Sequence, residues 1–282
     1  MTPRGPGWRL PAGLLLVAPG ALFLGAFFVA PLVLNLGVAL RAPGGGFGAG
    51  QFTRALGDAY YLGVIGQTLL LSLAVTLGTV VLGYPLALAI ARARGPAKGF
   101  LVFLVVTPLL VNVVVRTFGW MVILGRSGLV NALLKGAGLP ALDLMGGWFA
   151  IWLAMVHVLL PFMVLSVAAA LEGIDPALDQ AALTLGASPW RAFLAVTWPL
   201  GLEGVLTGTL LVFALSMGSF VTVMMMGGNA TMVLPLLIYQ QLNLAADWPF
   251  GAALGMILVA LVVSLSFAQM LLGRRLRGGL PA

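Results

Sequence analysis

The sequence predicts an all-α, polytopic membrane bundle of six helices, and three observations predict it. The 282-residue chain is 61% hydrophobic and 7% charged, against roughly a quarter charged in a soluble domain, so there is too little polar surface to cover a globule in water. Six apolar stretches reach the roughly 20 residues that a helix needs to cross a hydrocarbon core. The basic residues stand in short clusters beside those stretches, as in membrane loops, so the net charge of +7 implies a lipid bilayer and no nucleic acid. Zero cysteines remove thiol catalysis, zinc ribbons and disulfides.

The first span is Leu14 to Leu40, preceded by Arg4 and Arg9. Its apolar run outlasts the roughly 7 to 15 residues of a signal-peptide core, so it reads as an uncleaved extra span. Spans two to six are Leu62 to Ala91, Phe100 to Leu124, Trp148 to Leu171, Val205 to Met226 and Phe250 to Leu272. Pro31, Pro85, Pro108 and Pro161 fall inside spans, where neighbouring helices satisfy the backbone groups that proline frees. No polar linker is long enough to be a soluble domain, so residues 1–282 read as one transmembrane domain with a core at about 62–272. Arg4, Arg9, Arg92, Arg94, Lys98, Arg191, Arg274, Arg275 and Arg277 fall in one set of loops, and Arg41, Arg54, Arg126 and Lys135 in the other. The richer set marks the cytoplasmic side and puts both termini there. The external segment between spans five and six has an apolar part, Met232 to Ile238, that is too short to cross and carries Pro235. It reads as a short helix lying at the surface or dipping in and out.

The polar loop between spans four and five, about 172–199, reads "LEGIDPALDQAALTLGASPWRAFLAVTWPL" from Leu171. Asp175-Pro176 is a helix start, an N-cap acceptor followed by proline in the first turn. Ala177, Leu178, Ala181, Ala182 and Leu185 then recur with helical period on one apolar face. Gly186 is the stop, and Ser188-Pro189 repeats the start signal. Two short helices meeting at a glycine elbow are expected, with Trp198-Pro199 leading into span five. A solvated connector has no use for an apolar face, whereas a helix seated in a partner's groove does.

This loop resembles the cytoplasmic coupling loop of binding-protein-dependent ABC importer permeases. Their pattern is Glu-Ala-Ala, three residues, Gly, about nine residues, then an apolar residue and Pro; Gln180-Ala181-Ala182, Gly186-Ala187 and Pro199 fill those places. Gln180 stands where the family has glutamate and keeps length and hydrogen bonding without charge, with Asp179 one residue earlier. Residues 115–134, "VRTFGWMVILGRSGLVNALL", are similar to the third span and outer loop of spermidine/putrescine-type permeases, and 218–228, "GSFVTVMMMGG", to the end of their fifth span. The resemblance implies a type I ABC importer permease fold in a bacterial inner membrane, importing a small solute such as putrescine or spermidine by alternating access. Other small organic solutes and inorganic ions handled by related permeases stay open. It also implies two ATP-binding cassette subunits, a second permease subunit that is a paralogue, and an external solute-binding protein. The chain has no Gly-x-x-x-x-Gly-Lys-[Ser/Thr] loop, so no cofactor is expected on it, and ATP with magnesium belongs to the ATPase. Asp179 to Ala182, Leu185 to Ala187 and Pro199 are its expected ATPase-coupling residues.

For the translocation path the candidates are Arg116, Asn112, Trp120, Asp143 and Asp247. Arg116 is a charge inside an apolar run, which is costly and functional by default; counted along a straight span it lies in the outer part, within snorkelling reach of the surface. Asp143 with Trp148, and Asp247 with Trp248, put a carboxylate beside an aromatic ring as a passing ammonium would require, although tryptophans at span ends commonly anchor the interface. Asn112, Gln67 and Thr68 read as helix packing first and path lining second. His157, the single histidine, reads as an interhelical hydrogen bond. An ion-coupled secondary transporter needs ionisable residues deep in its spans, and a membrane enzyme needs convergent His, Asp, Glu or Cys. The seven acids (Asp58, Asp143, Glu172, Asp175, Asp179, Glu203 and Asp247) all lie near span ends or in loops, which suits neither class.

Overall fold

A computed structural model describes residues 10–42, 46–228 and 231–277; Arg4 and Arg9 lie outside the described residues. All its named elements are helices, and six helical stretches, some made of consecutive elements, are long and apolar enough to cross a membrane; the third of them is Val113–Gly136, while the apolar helix Pro96–Leu110 before it is shorter. The chain forms two compact units, Met1–Asp58 with Ile238–Ile257 and Ala59–Leu237 with Leu258–Ala282.

The first unit opens with α1 (Leu10–Leu24), a π turn (Gly25–Val29) and α2 (Ala30–Ala39), followed by α3 (Gly50–Gly57). The π turn has a local cause. Pro31 donates no N–H and its ring crowds the carbonyl four residues back, and the turn widens so that Ala30 N–H bonds Gly25 O. Ala39, Ala252 and Ala253 form a small core with Val38, Phe52 and Met256. The Asn35 amide adds a bond to Ala252 O at 3.3 Å.

The second unit holds α4 (Ala59–Arg92), α5 (Pro96–Leu110), α6 (Val113–Leu124), α7 (Leu129–Gly136), α8 (Trp148–Glu172), α9 (Pro176–Thr184), α10 (Pro189–Ala192), α11 (Trp198–Met217) and α12 (Val221–Met226). The unit boundaries fall within α13 (Leu234–Asn243) and α14 (Trp248–Arg277). Buried apolar side chains of α4, α8 and α11, among them Val75, Ile90, Ile151, Met163, Val167 and Val212, form the core. Alpha-helical rise makes the 34 residues of α4 about 51 Å long, beyond the roughly 30 Å of hydrocarbon, so one end reaches into water.

Small residues let α11 lie against α8, since van der Waals packing rather than hydrophobicity holds helices together in lipid. A Cβ at Gly204 would stand 2.7 Å from Ser166 O and Val167 Cα, and one at Gly208 would stand 2.6 Å from Met163 Sδ. The Gly208 neighbour is a flexible side chain, but the Gly204 neighbours are backbone. Gly204→Ala is therefore expected to push the helices apart and lower stability by about 1–3 kcal/mol, read as an earlier thermal midpoint in detergent. Gly208→Ala should cost less.

Two expected spans differ in detail, the third and the fifth. The third span is not one helix: α5 ends at Leu110 and α6 restarts at Val113, with Val111 extended at ψ 132° and Asn112 capping α6 by accepting from Val114 N–H at 2.9 Å. Pro108 weakens the helix just before the break, and asparagine is a preferred N-cap. The fifth span starts earlier than Val205, because α10 runs through a second π turn (Phe193–Thr197) directly into α11. Pro199 is absorbed rather than breaking the helix, as Trp198 N–H bonds Phe193 O. That span also ends at Met217, with α12 a separate short helix. The segment between spans five and six forms the short helix expected there, α13, with its start packed into the protein: Leu234, Pro235, Leu236 and Leu237 are buried, and Leu234 N–H donates to the buried Thr68 hydroxyl of α4 at 2.8 Å. Beside it, Gly146 and Gly228 pair through their backbones, Gly228 N–H donating to Gly146 O at 3.1 Å.

Candidate functional site

The loop after α8 folds into an elbow whose two starts and one stop follow from local chemistry. Asp175 Oδ1 accepts from Ala177 N–H at 2.9 Å, and Ser188 Oγ accepts from Arg191 N–H at 3.4 Å. Between them Gly186 has φ +88°, a conformation that costs glycine nothing. Its N–H reaches Leu183 O at 3.0 Å and that of Ala187 reaches Ala182 O at 3.1 Å, the paired bonds of a Schellman stop.

The helix α9 has two working faces. Leu178, Ala181 and Leu185 point into solvent, Leu185 with 88% of its surface exposed and Leu178 with 47%. Trp190 and Leu194 of the second arm are also exposed, Trp190 at 67%. The opposite face turns to the protein itself. Asp179 accepts from the Thr197 hydroxyl at 2.9 Å and pairs with Arg92 at 3.6 Å. Ala182 and Ala187 are half-buried, while Gln180 and Gly186 are exposed. Pro199, half-buried in the first turn of α11, lies beyond the π turn and continues the second arm. A cavity of about 490 Å³ opens beneath α9, its wall including Arg92, Arg94, Lys98, Glu172, Asp179 and Gln180. Lys98 bonds Glu172 at 3.0 Å across it. An aromatic cluster fastens the second arm: Tyr84 lies 4.9 Å from Trp198 and 6.0 Å from Phe193, which stacks on Trp190 at 5.4 Å. Sequence reasoning missed Arg92, Lys98 and Thr197. Arg92 and Lys98 were visible only as loop charge, and no local spacing links Thr197 to Asp179.

Arg116 sits one turn into α6, beside the break in the third span. Its Nη1 donates to the carbonyl of Pro108, one of the groups that α5 leaves without a helical partner. Its Nε is buried with no partner in the protein among the described residues. Asn112 and Arg116 line one cavity of about 540 Å³ with Leu110, Val111, Val158 and Phe162. The guanidinium therefore turns back over the break rather than along the span toward the surface.

Trp120 stands one turn beyond Arg116 on α6, whereas Asp143 and Asp247 are each engaged by an arginine of their own. Trp120 Nε1 donates to His157 Nδ1 at 3.3 Å with the rings edge to face, tying α6 to α8. Asp143 is bonded to Arg126 at 2.9 Å, and that hydrogen bond and charge hold its carboxyl below the ordinary carboxylate range. Asp247, in the first unit, pairs with Arg54 at 2.9 Å, while Arg54 lies 3.9 Å over the Phe250 ring. Gln67 borders an open apolar groove of about 500 Å³ with Leu70, Trp148 and Trp152. Thr68 is the cap of α13 described above.

Residues 79–278 match the family described as "Binding-protein-dependent transport system inner membrane component". The spermidine/putrescine transport system permease protein PotB of Escherichia coli (strain K12) is 34% identical over 205 residues, covering 72% of this chain and 74% of that protein. PotB of Haemophilus influenzae is 32% identical over 221 residues, covering 76% and 77%. The molybdenum transport system permease protein ModB of Mycobacterium bovis is 35% identical over 189 residues, covering 66% and 70%. Among solved structures, a chain of a bacterial alginate ABC transporter in complex with its pentasaccharide-bound periplasmic protein superposes with TM-score 0.79 at 19% identity, covering 93% of each chain. A chain of the MetNI methionine ABC transporter gives 0.59 at 18%, covering 76% of this chain and 95% of that one. These likenesses establish the fold.

Proposed function

The chain belongs to the binding-protein-dependent transport system inner membrane component family, and from that premise we propose that this ABC importer permease subunit carries a polyamine such as putrescine or spermidine inward by alternating access. The observation that carries the coupling half of this reading is the exposed apolar face of α9, with Leu185 at its tip. A face of that kind on the water side of a membrane protein seats in a partner's groove. The groove belongs to a separate ATPase, one of a pair that closes on ATP with magnesium; this chain itself binds no cofactor. Asp179 to Ala182, Leu185 to Ala187 and Pro199 make up the coupling elbow. Its cytoplasmic placement puts both termini on that side by the basic-residue rule. A second permease, a paralogue of this one, completes the path within a single transmembrane domain per chain, and an external binding protein delivers the solute.

The path is proposed along Asn112, Arg116 and Trp120, where the third span is broken. Interrupted spans line solute sites in transporters because their half-helix ends offer free backbone groups. Asp143 and Asp247 belong to the external ends, and each already holds an arginine. The polyamine assignment rests on the PotB relatives. Its test is uptake of labelled putrescine or spermidine into liposomes that hold the complete complex, with ATP inside and binding protein outside. ATP-dependent uptake competed by either polyamine and not by molybdate is expected. Uptake driven by an ion gradient without ATP overturns the importer reading, and competition by molybdate alone overturns the polyamine.

A further inference from the structure

The carboxylate of Asp179 faces inward, away from the exposed face of α9. One oxygen accepts from Thr197, a buried residue at the end of the π turn that feeds α11, and the other pairs with Arg92, the last residue of α4. A single side chain thus links the elbow to two of the three helices that build the core. The neighbouring Lys98–Glu172 pair ties α5 to α8 and leaves α9 out, so it does not duplicate the link.

We propose that Asp179 is a positioning residue that passes displacement of α9 to α4 through Arg92 and to α11 through the Thr197 hydroxyl. The proposal rests on α9 being the ATPase contact. Apolar surfaces grip without direction, and a helix held by its apolar face alone can slide or roll under load. A charged hydrogen bond on the opposite face fixes direction. The Arg92 pair is too exposed, with about half of the arginine side chain in solvent, to add much stability; its contribution is geometric. The Thr197 bond reaches a π turn, an uncommon geometry that is frequent at functional sites.

The test uses the complete reconstituted complex and reads solute imported per ATP hydrolysed alongside the affinity of the permease for its ATPase. Asp179→Asn, Arg92→Gln and Thr197→Val are each expected to lower that ratio by roughly fivefold or more, and Arg92→Gln and Thr197→Val, which lie outside the coupling set, to do so with ATPase affinity and thermal midpoint held. Arg92→Lys, which keeps the charge, should restore most of it. An unchanged ratio in Asp179→Asn and Arg92→Gln overturns the proposal. So does a loss of ATPase affinity in Asp179→Asn, since the carboxylate would then face the partner. Failure of the coupling reading itself shows separately, as full ATPase affinity when Leu185 is replaced by Asp.

Discussion

Replacing Leu185 by aspartate is expected to strip the ATPase from the complex. The side chain is almost wholly exposed at the last turn of α9, so the folded chain loses nothing when it changes, and the effect belongs to the partner. Anchors seated in a groove commonly carry 2 kcal/mol or more, which converts to a loss of roughly 30-fold or greater in affinity. A buried unpaired carboxylate adds its own penalty. Leu178→Asp on the same face should act in the same direction, and the pair together should leave no detectable complex. The check is co-purification of the ATPase with the permease, beside a thermal midpoint that stays where it was. An intact complex would mean that this face does not meet the ATPase.

Arg116→Ala is expected to cut solute-stimulated ATP hydrolysis and transport by about tenfold or more. The guanidinium covers the Pro108 carbonyl at the break between α5 and α6. Without it, that carbonyl loses its guanidinium partner, and the two half-helices lose the bond that fixes their relation. Arg116→Lys keeps the charge and one donor but not the planar fork, so partial recovery is expected. Assembly with the ATPase should be untouched, because the break and the elbow belong to different segments. Full transport by the alanine variant would remove Arg116 from the mechanism.

The spans were legible because lipid imposes one rule on every residue of a crossing helix, and length with hydropathy is enough to apply it. Trp148 to Glu172 starts at the residue expected and ends one later. The elbow was legible for a different reason: Asp175, Ser188 and Gly186 act through bonds to their own neighbours, which sequence order already specifies. The break at Val111–Asn112 was hidden by uniform hydropathy on both sides, although Pro108 followed by an asparagine was a usable signal. The fusion of α10 with α11 was hidden because Pro199 reads as a helix start and only the π turn reveals otherwise. What could not be read at all were pairings across distance, Asp179 with Thr197 and Arg92, and Trp120 with His157. No periodicity encodes which span lies beside which.

The Thr68 cap on α13 has a consequence for biogenesis. Its two partners are separated by 166 residues, and a ribosome delivers the chain N-terminus first. Until residue 234 emerges, the notch that receives α13 must wait, lined by a hydroxyl with only its own helix to bond. Seating of that last short helix is thus a late event in membrane insertion, and a nascent chain arrested before it would hold its earlier spans around an unfilled slot.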